Sequence, residues 1–312
     1  MSLNSDKPER WAEDITLSVR QFNGWFLANG PKTFVDERER TAGRVKQAFA
    51  ATADFTALTP DVLKANPDVV QVLRMATLPP LARDRLIGLA EVNKPLVECL
   101  ERGRLPRDRA AKLTPSLERI CDVIEPLLDR ELFPWRAGQR LATDVERDLA
   151  AFVVGDRLCS ALSNPIMRNA HQARQRELLA VLLANAGYVE ETHPADQPMN
   201  FMKPGTYSFG VNVPSNVAIV AVDLVIQPKK PTGSRIPIMT ELKAAGDFTN
   251  PNKRRKEEAD KFRNLHAKYG QDLKLVLFLC GYFNQKYLRY EADAGIDWVW
   301  EHRADDLLEL LV

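Results

Sequence analysis

The stretch "IPIMTELKAAGD", residues 236–247, decides the fold. It opens as a buried strand with Ile236, Ile238 and Met239, then sets Glu241 and Lys243 two positions apart near its end. Successive strand side chains point to opposite faces, so Glu241 and Lys243 share one face, about 6.6 Å apart along the chain. A carboxylate and an ammonium held side by side require a common target.

Working outward, "VAIVAVDLVI", residues 217–226, is apolar except for Asp223. A carboxylate inside a buried strand is costly unless it is paired or coordinates a metal. The short connection "QPKKPTGSR" makes the two strands neighbours and brings Asp223 beside Glu241 and Lys243. Two carboxylates, a backbone carbonyl and several waters suit Mg²⁺, a hard ion that keeps much of its hydration, with Mn²⁺ as a substitute. Asp223 and Glu241 are thus the expected metal ligands. The ion acts on a phosphodiester as a Lewis acid and acidifies a bound water, while Lys243 orients that water or helps to deprotonate it. E-x-K alone is short enough to arise by chance, and Asp272-Leu273-Lys274 is such a decoy, read as the solvated start of a strand. The buried acid upstream, the charge around it and the order of elements separate the first triplet from the second.

That order changes once along the chain. Up to residue 163 the period is helical, as in Trp11, Ile15, Val19, Phe22 and Phe26, and prolines cut the stretch into short helices. Residues 1–163 are therefore expected to form an all-helical N-terminal domain. After Pro165, "MRNAHQARQRELLAVLLANAG" reads as one long helix stopped by Gly187. Strands follow near Tyr188 and Tyr207, then the two strands above, a helix ending at Gly270, the strand "LKLVLFLCG", a helix near Lys286, the strand "DWVWE" and a closing helix. Residues 164–312 are thus expected to form an α/β layered domain with a mixed sheet.

With 312 residues, 45% hydrophobic and 27% charged, the chain can bury two such cores. Its net charge is only +1, so any nucleic-acid signal is local. Between Lys229 and Lys256 eight basic residues face two acidic ones. Lys253, Arg254, Arg255 and Lys256 stand together where a helix begins, a place that disfavours cations and favours phosphate. These four, with Lys229 and Lys230, are the expected DNA contacts: lysines for phosphates and arginines for guanine edges. "LARDRLIGLAEVNKPLVECLERGRLP", residues 81–106, has helix-turn-helix proportions, but any pair of short helices with an Arg-rich end does, and no recognition role is assigned to it.

The four cysteines, widely spaced and without a C-x-x-C pair, read as buried thiols rather than zinc ligands or disulfides. His171, His193, His266 and His302 show no ligand spacing and read as structural or surface residues. The N-terminal segment lacks a hydrophobic signal core and no apolar run is long enough to span a bilayer, so a cytoplasmic location without membrane contact is expected.

Asp223, Glu241 and Lys243 in this order of elements resemble the PD-(D/E)xK nuclease superfamily, with Val222 where a proline often stands. "RMATLPPLARDRLIGLA" and "ELKAAGDFTNPNKRRKEEADK" further resemble the XamI family of type II restriction endonucleases, nearly end to end. The resemblance implies a restriction-endonuclease-like core, Mg²⁺-dependent cleavage of both strands of duplex DNA at a short palindrome, associated in that family with GTCGAC, and a cognate methyltransferase outside the complex. A palindrome is most simply read by a two-fold homodimer. In such cores an acid on the helix before the sheet often touches the metal site, and Glu177 is the candidate here. A structure-specific or repair nuclease on the same core, or a DNA-binding protein without cleavage, are the alternatives. The intact Asp223, Glu241 and Lys243 argue against the latter.

Overall fold

The computed structural model describes residues 2–106, 110–194, 197–231, 233–246 and 251–311, with the side chains at 110–112, 163–165 and 251–257 outside the description. Its helices are Trp11–Ala51 (α1), Pro60–Ala65 (α2), Val69–Ala76 (α3), Arg83–Ala90 (α4), Lys94–Glu101 (α5), Ala110–Ile124 (α6), Pro134–Ala137 (α7), Asp144–Asn185 (α8), Pro251–Tyr269 (α9), Gln285–Asp293 (α10) and Asp306–Glu309 (α11). Its strands are Val189–Glu190 (β1), Thr206–Pro214 (β2), Ile219–Ile226 (β3), Ile238–Ala245 (β4), Leu275–Gly281 (β5) and Asp297–Trp300 (β6).

The chain divides into two compact units, 31–166 and 1–30 together with 167–312. The sequence reading placed a single break at 163/164, whereas these boundaries fall inside α1 and α8. Residues 1–30 group with the sheet because they are bonded to it. Backbone N–H groups of Asn4 and Ser5 each donate to the Asp297 carboxylate at 3.0 Å, Trp11 packs edge-on against Trp298 with ring centroids 5.4 Å apart, and Gly281 N–H donates to Ser18 Oγ at 2.8 Å.

The unit 31–166 is helical. Pro60, Pro95 and Pro134 sit in the first turns of α2, α5 and α7, where a missing N–H costs nothing, and Thr59 and Asn93 cap α2 and α5. Phe49, Phe55, Phe133 and Trp135 meet edge to face in its core, and Arg74 and Glu101 form an ion pair that is almost wholly buried. The long helix α8 begins at Asp144, not after Pro165 as the sequence reading expected. Thr143 and Glu146 explain the start: Glu146 N–H donates to Thr143 Oγ1 and Thr143 N–H donates to Glu146, a reciprocal capping box.

The other unit is built on a six-stranded sheet in the order β1-β2-β3-β4-β5-β6. Pairs β2/β3 and β3/β4 are antiparallel, and β1/β2, β4/β5 and β5/β6 are parallel, the mixed sheet that was expected. Every residue of β5 is buried, because parallel partners lie on both sides of it and helices cover its faces. Leu179 and Leu183 of α8 pack with Leu224, Leu242 and Phe278, while Leu265 of α9 packs with Val225, Met239 and Leu275. Gly187 ends α8 at φ +76°, a left-handed conformation that a side chain would strain.

Candidate active site

The site grows out of a fork in the sheet. β3 and β4 pair through Ile226↔Ile238, Val225↔Met239 and Leu224↔Thr240, and the ladder stops there. One step further the register would set Asp223 opposite Glu241. Instead, the Asp223 carboxylate takes the place of a backbone acceptor, and Leu242 N–H donates to its Oδ2 at 2.9 Å. β4 meanwhile keeps its partner β5 to Ala245↔Gly281, so the fork opens on one side only. The other Asp223 oxygen accepts from Gln172 Nε2 of α8 at 3.0 Å.

Glu241 is 2% exposed and surrounded by cations. Its Oε1 lies 2.6 Å from Lys261 Nζ and its Oε2 lies 3.5 Å from Lys243 Nζ. The same Lys261 ammonium also donates to the Ala221 carbonyl at 2.6 Å, which ties it to β3 as well as to Glu241. Burial raises the Glu241 pKa above the ordinary carboxylate range, and nearby Asp223 adds to this, against the opposing pull of Lys243 and Lys261. Lys243 is anchored from α9: its Nζ sits 2.9 Å from Glu258 Oε1, and Glu258 is also 2% exposed. Burial alone would lower the Lys243 pKa, but Glu258, Glu241 and Asp223 outweigh it, and the pKa is raised. Lys243 is therefore a firmly held ammonium at neutral pH.

Asp223, Glu241 and Lys243 thus come together at the fork, linked by shared neighbours. Glu177 is exposed on α8, five residues beyond Gln172, which is about 140° further round the helix. No described contact joins it to the three. Lys229 Nζ donates to the Ala186 carbonyl at 2.7 Å and sits over the Tyr188 ring, roughly 21 Å along α8 from Gln172, and the neighbouring Lys230 is exposed on the same loop. The side chains of Lys253, Arg254, Arg255 and Lys256 lie outside the described residues. The decoy Asp272 accepts from Ser234 N–H at 3.1 Å just before β5 and serves a turn.

Three contributors escaped the sequence reading: Gln172, Glu258 and Lys261. Glu258, Lys261 and Leu265 recur at spacings of three and four on α9, a stripe whose first two members are charged. All four cysteines are free, with Cys121, Cys159 and Cys280 buried and Cys99 partly so. Among the described residues, no helix is long and apolar enough to cross a membrane.

The geometry is that of Asp223, Glu241 and Lys243 converging where two strands part, with Lys261 and Glu258 of α9 paired to the last two. No solved structure matches the chain. A type II restriction enzyme, SalI of Streptomyces albus G, is 50% identical over 309 residues, covering 98% of each chain. The family model described as XamI restriction endonuclease matches residues 53–300. On a match of that extent and a relative of that identity, the chain belongs to the XamI restriction endonuclease family.

Proposed function

We propose that this restriction endonuclease cuts both strands of duplex DNA at a short palindrome, GTCGAC, by Mg²⁺-dependent hydrolysis of a phosphodiester, with Asp223, Glu241 and Lys243 as its catalytic residues. The observation that carries the reading is the fork, where Asp223 meets Leu242 N–H beside a buried Glu241 whose described partners are all cations. The donor set fits a hard divalent ion: Asp223 and Glu241 offer carboxylate oxygens, and an ammonium already sits against one of them. Asp223 and Glu241 would hold the ion. When bound, it supplies Lewis acidity toward the phosphodiester.

The remaining work falls to the chain itself. Leu242 N–H and Gln172 fix both oxygens of Asp223, so the carboxylate is oriented before substrate arrives. Lys243 keeps its proton, which favours the orienting role over the basic one. Its ammonium directs the attacking water and stabilises charge developing on the phosphate oxygens, while Glu258 fixes its position. The same helix that carries Glu258 and Lys261 carries the basic run Lys253 to Lys256, so DNA contact and catalysis share one element, with Lys253 and Lys256 on phosphates and Arg254 or Arg255 on guanine. A two-fold homodimer, one subunit per strand, matches a palindromic site. A cognate methyltransferase protects the host site without joining the complex.

Digestion of plasmid and of short duplexes, with and without Mg²⁺, tests the reading. Discrete fragments only with the ion, and only from duplexes carrying GTCGAC, are the expected result. Smearing, structure-dependent nicking or full cleavage in excess chelator would reject it.

A further inference from the structure

A second group of ligating side chains lies away from the fork. His171 of α8, Cys280 near the end of β5 and Glu301 just beyond β6 are almost completely buried, and one ligand atom of each lies within 4.8 Å of the other two. His171 Nε2 and Glu301 Oε2 are 3.9 Å apart. Neither ring nitrogen of His171, nor Oε2 of Glu301, has a hydrogen-bond partner among the described residues. Phe22 stacks on the imidazole with centroids 5.2 Å apart and Trp25 meets it edge-on at 4.7 Å, so the ring is fixed and shielded from water. Buried polar atoms are ordinarily satisfied, so an imidazole and a carboxylate oxygen left without a partner beside a buried thiol ask for an occupant.

We propose that His171, Cys280 and Glu301 bind one divalent ion of the zinc class, separate from the ion that Asp223 and Glu241 would hold. A sulfur, an imidazole nitrogen and a carboxylate oxygen form a set that zinc accepts and that Mg²⁺, which prefers oxygen alone, does not. Binding releases the Cys280 thiol proton to solvent, and the thiolate and the carboxylate balance the ion's charge. Arg174 pairs with Glu301 Oε1 and leaves Oε2 to the metal, an outer partner that orients a ligating carboxylate. Its guanidinium is 30% exposed and keeps its own charge in contact with water. The ion ties α8 to the ends of β5 and β6, one residue before Gln172, and so fixes the amide that holds Asp223. Sequence spacing could not reveal the set, because its members stand at 171, 280 and 301.

The test uses the full chain purified without chelator. Elemental analysis should find one zinc-class ion per chain, and Co²⁺ titrated into the stripped protein should give a near-ultraviolet thiolate-to-metal band. Cys280→Ser should lose the ion and the band, whereas Glu241→Gln should keep both, which separates this site from the catalytic one. If Cys280→Ser fails to fold by circular dichroism, His171→Gln and Glu301→Gln are read in its place, and the parent's content and band still decide. No ion and no thiolate band in the parent, a buried water cluster only, would overturn the proposal. So would unchanged metal content in folded Cys280→Ser.

Discussion

The helices α8 and α9 reach the same fork and do different things there. α8 offers Asp223 a neutral amide from Gln172, while α9 offers a carboxylate to Lys243 and an ammonium to Glu241. A neutral donor aims a carboxylate and leaves its charge intact, so the Asp223 oxygens stay available to a cation. Charged neighbours also set the protonation of what they touch, which is why the Lys243 pKa is raised despite burial. Orientation comes from one side of the sheet and charge from the other.

The bluntest way to break this comparison is to remove what both helices serve. Asp223→Ala, Glu241→Ala and Lys243→Ala should each lower single-turnover cleavage by roughly 10²- to 10³-fold, the order lost when a preorganised charge-stabilising group is deleted. Circular dichroism should show a folded protein, and near-parent cleavage by any of them would remove that residue from the mechanism.

Glu258→Gln separates the two helices. Without that carboxylate, Lys243 loses the first of the influences that raise its pKa. Where the ammonium is the working form, activity falls as pH rises through its pKa, so the alkaline limb of the pH–rate profile should move to lower pH. Cleavage at neutral pH should fall by about 10–100-fold, within the range of a misplaced catalytic group. Gln172→Leu should slow cleavage by a similar or smaller factor with the limb unmoved. A shifted limb in Gln172→Leu, or an unshifted one in Glu258→Gln, would erase the distinction.

Lys261→Met sharpens it further. If Glu241 holds the ion as proposed, the Lys261 ammonium competes with it, and calorimetric titration of Lys261→Met with Mg²⁺ should show about tenfold tighter binding, equivalent to ~1.4 kcal/mol. Weaker binding would make Lys261 a helper of the ion rather than its rival.

The smallest effect is on stability. A carboxyl whose folded pKa is raised favours the folded state when protonated, so stability is full below its ordinary value and falls as pH rises through the raised one. Glu241→Gln cannot ionise and should melt at or above the parent at neutral pH in chelator, with that advantage gone in acid. A melting point below the parent at neutral pH would mean that the ion pairs with Lys243 and Lys261 dominate.

Asp223, Glu241 and Lys243 were legible because each breaks an otherwise apolar strand, and an anomaly in a period-two pattern is visible without coordinates. Gln172, Glu258 and Lys261 were not, because a polar residue on a helix fits a solvated face as well as a site. Glu177 carries the same ambiguity: it shares α8 with Gln172 and is exposed about 140° further round the helix. The mixed sheet with flanking helices followed from strand-helix alternation. The attachment of residues 1–30 did not, because no local rule connects Trp11 to Trp298. The start of α8 was in plain view as Thr143 and Glu146, but Pro165 drew the boundary away from it.

That attachment also governs how the enzyme comes into being. Leu3 and Asn4 donate to Asp297, partners separated by 294 and 293 positions. A chain emerging from the ribosome exposes its helical unit long before the strands that its first residues require, and contacts so distant in sequence close late. The sheet that carries the fork is thus assembled last. Asp223, Glu241 and Lys243 therefore come together only after most of the chain has been made.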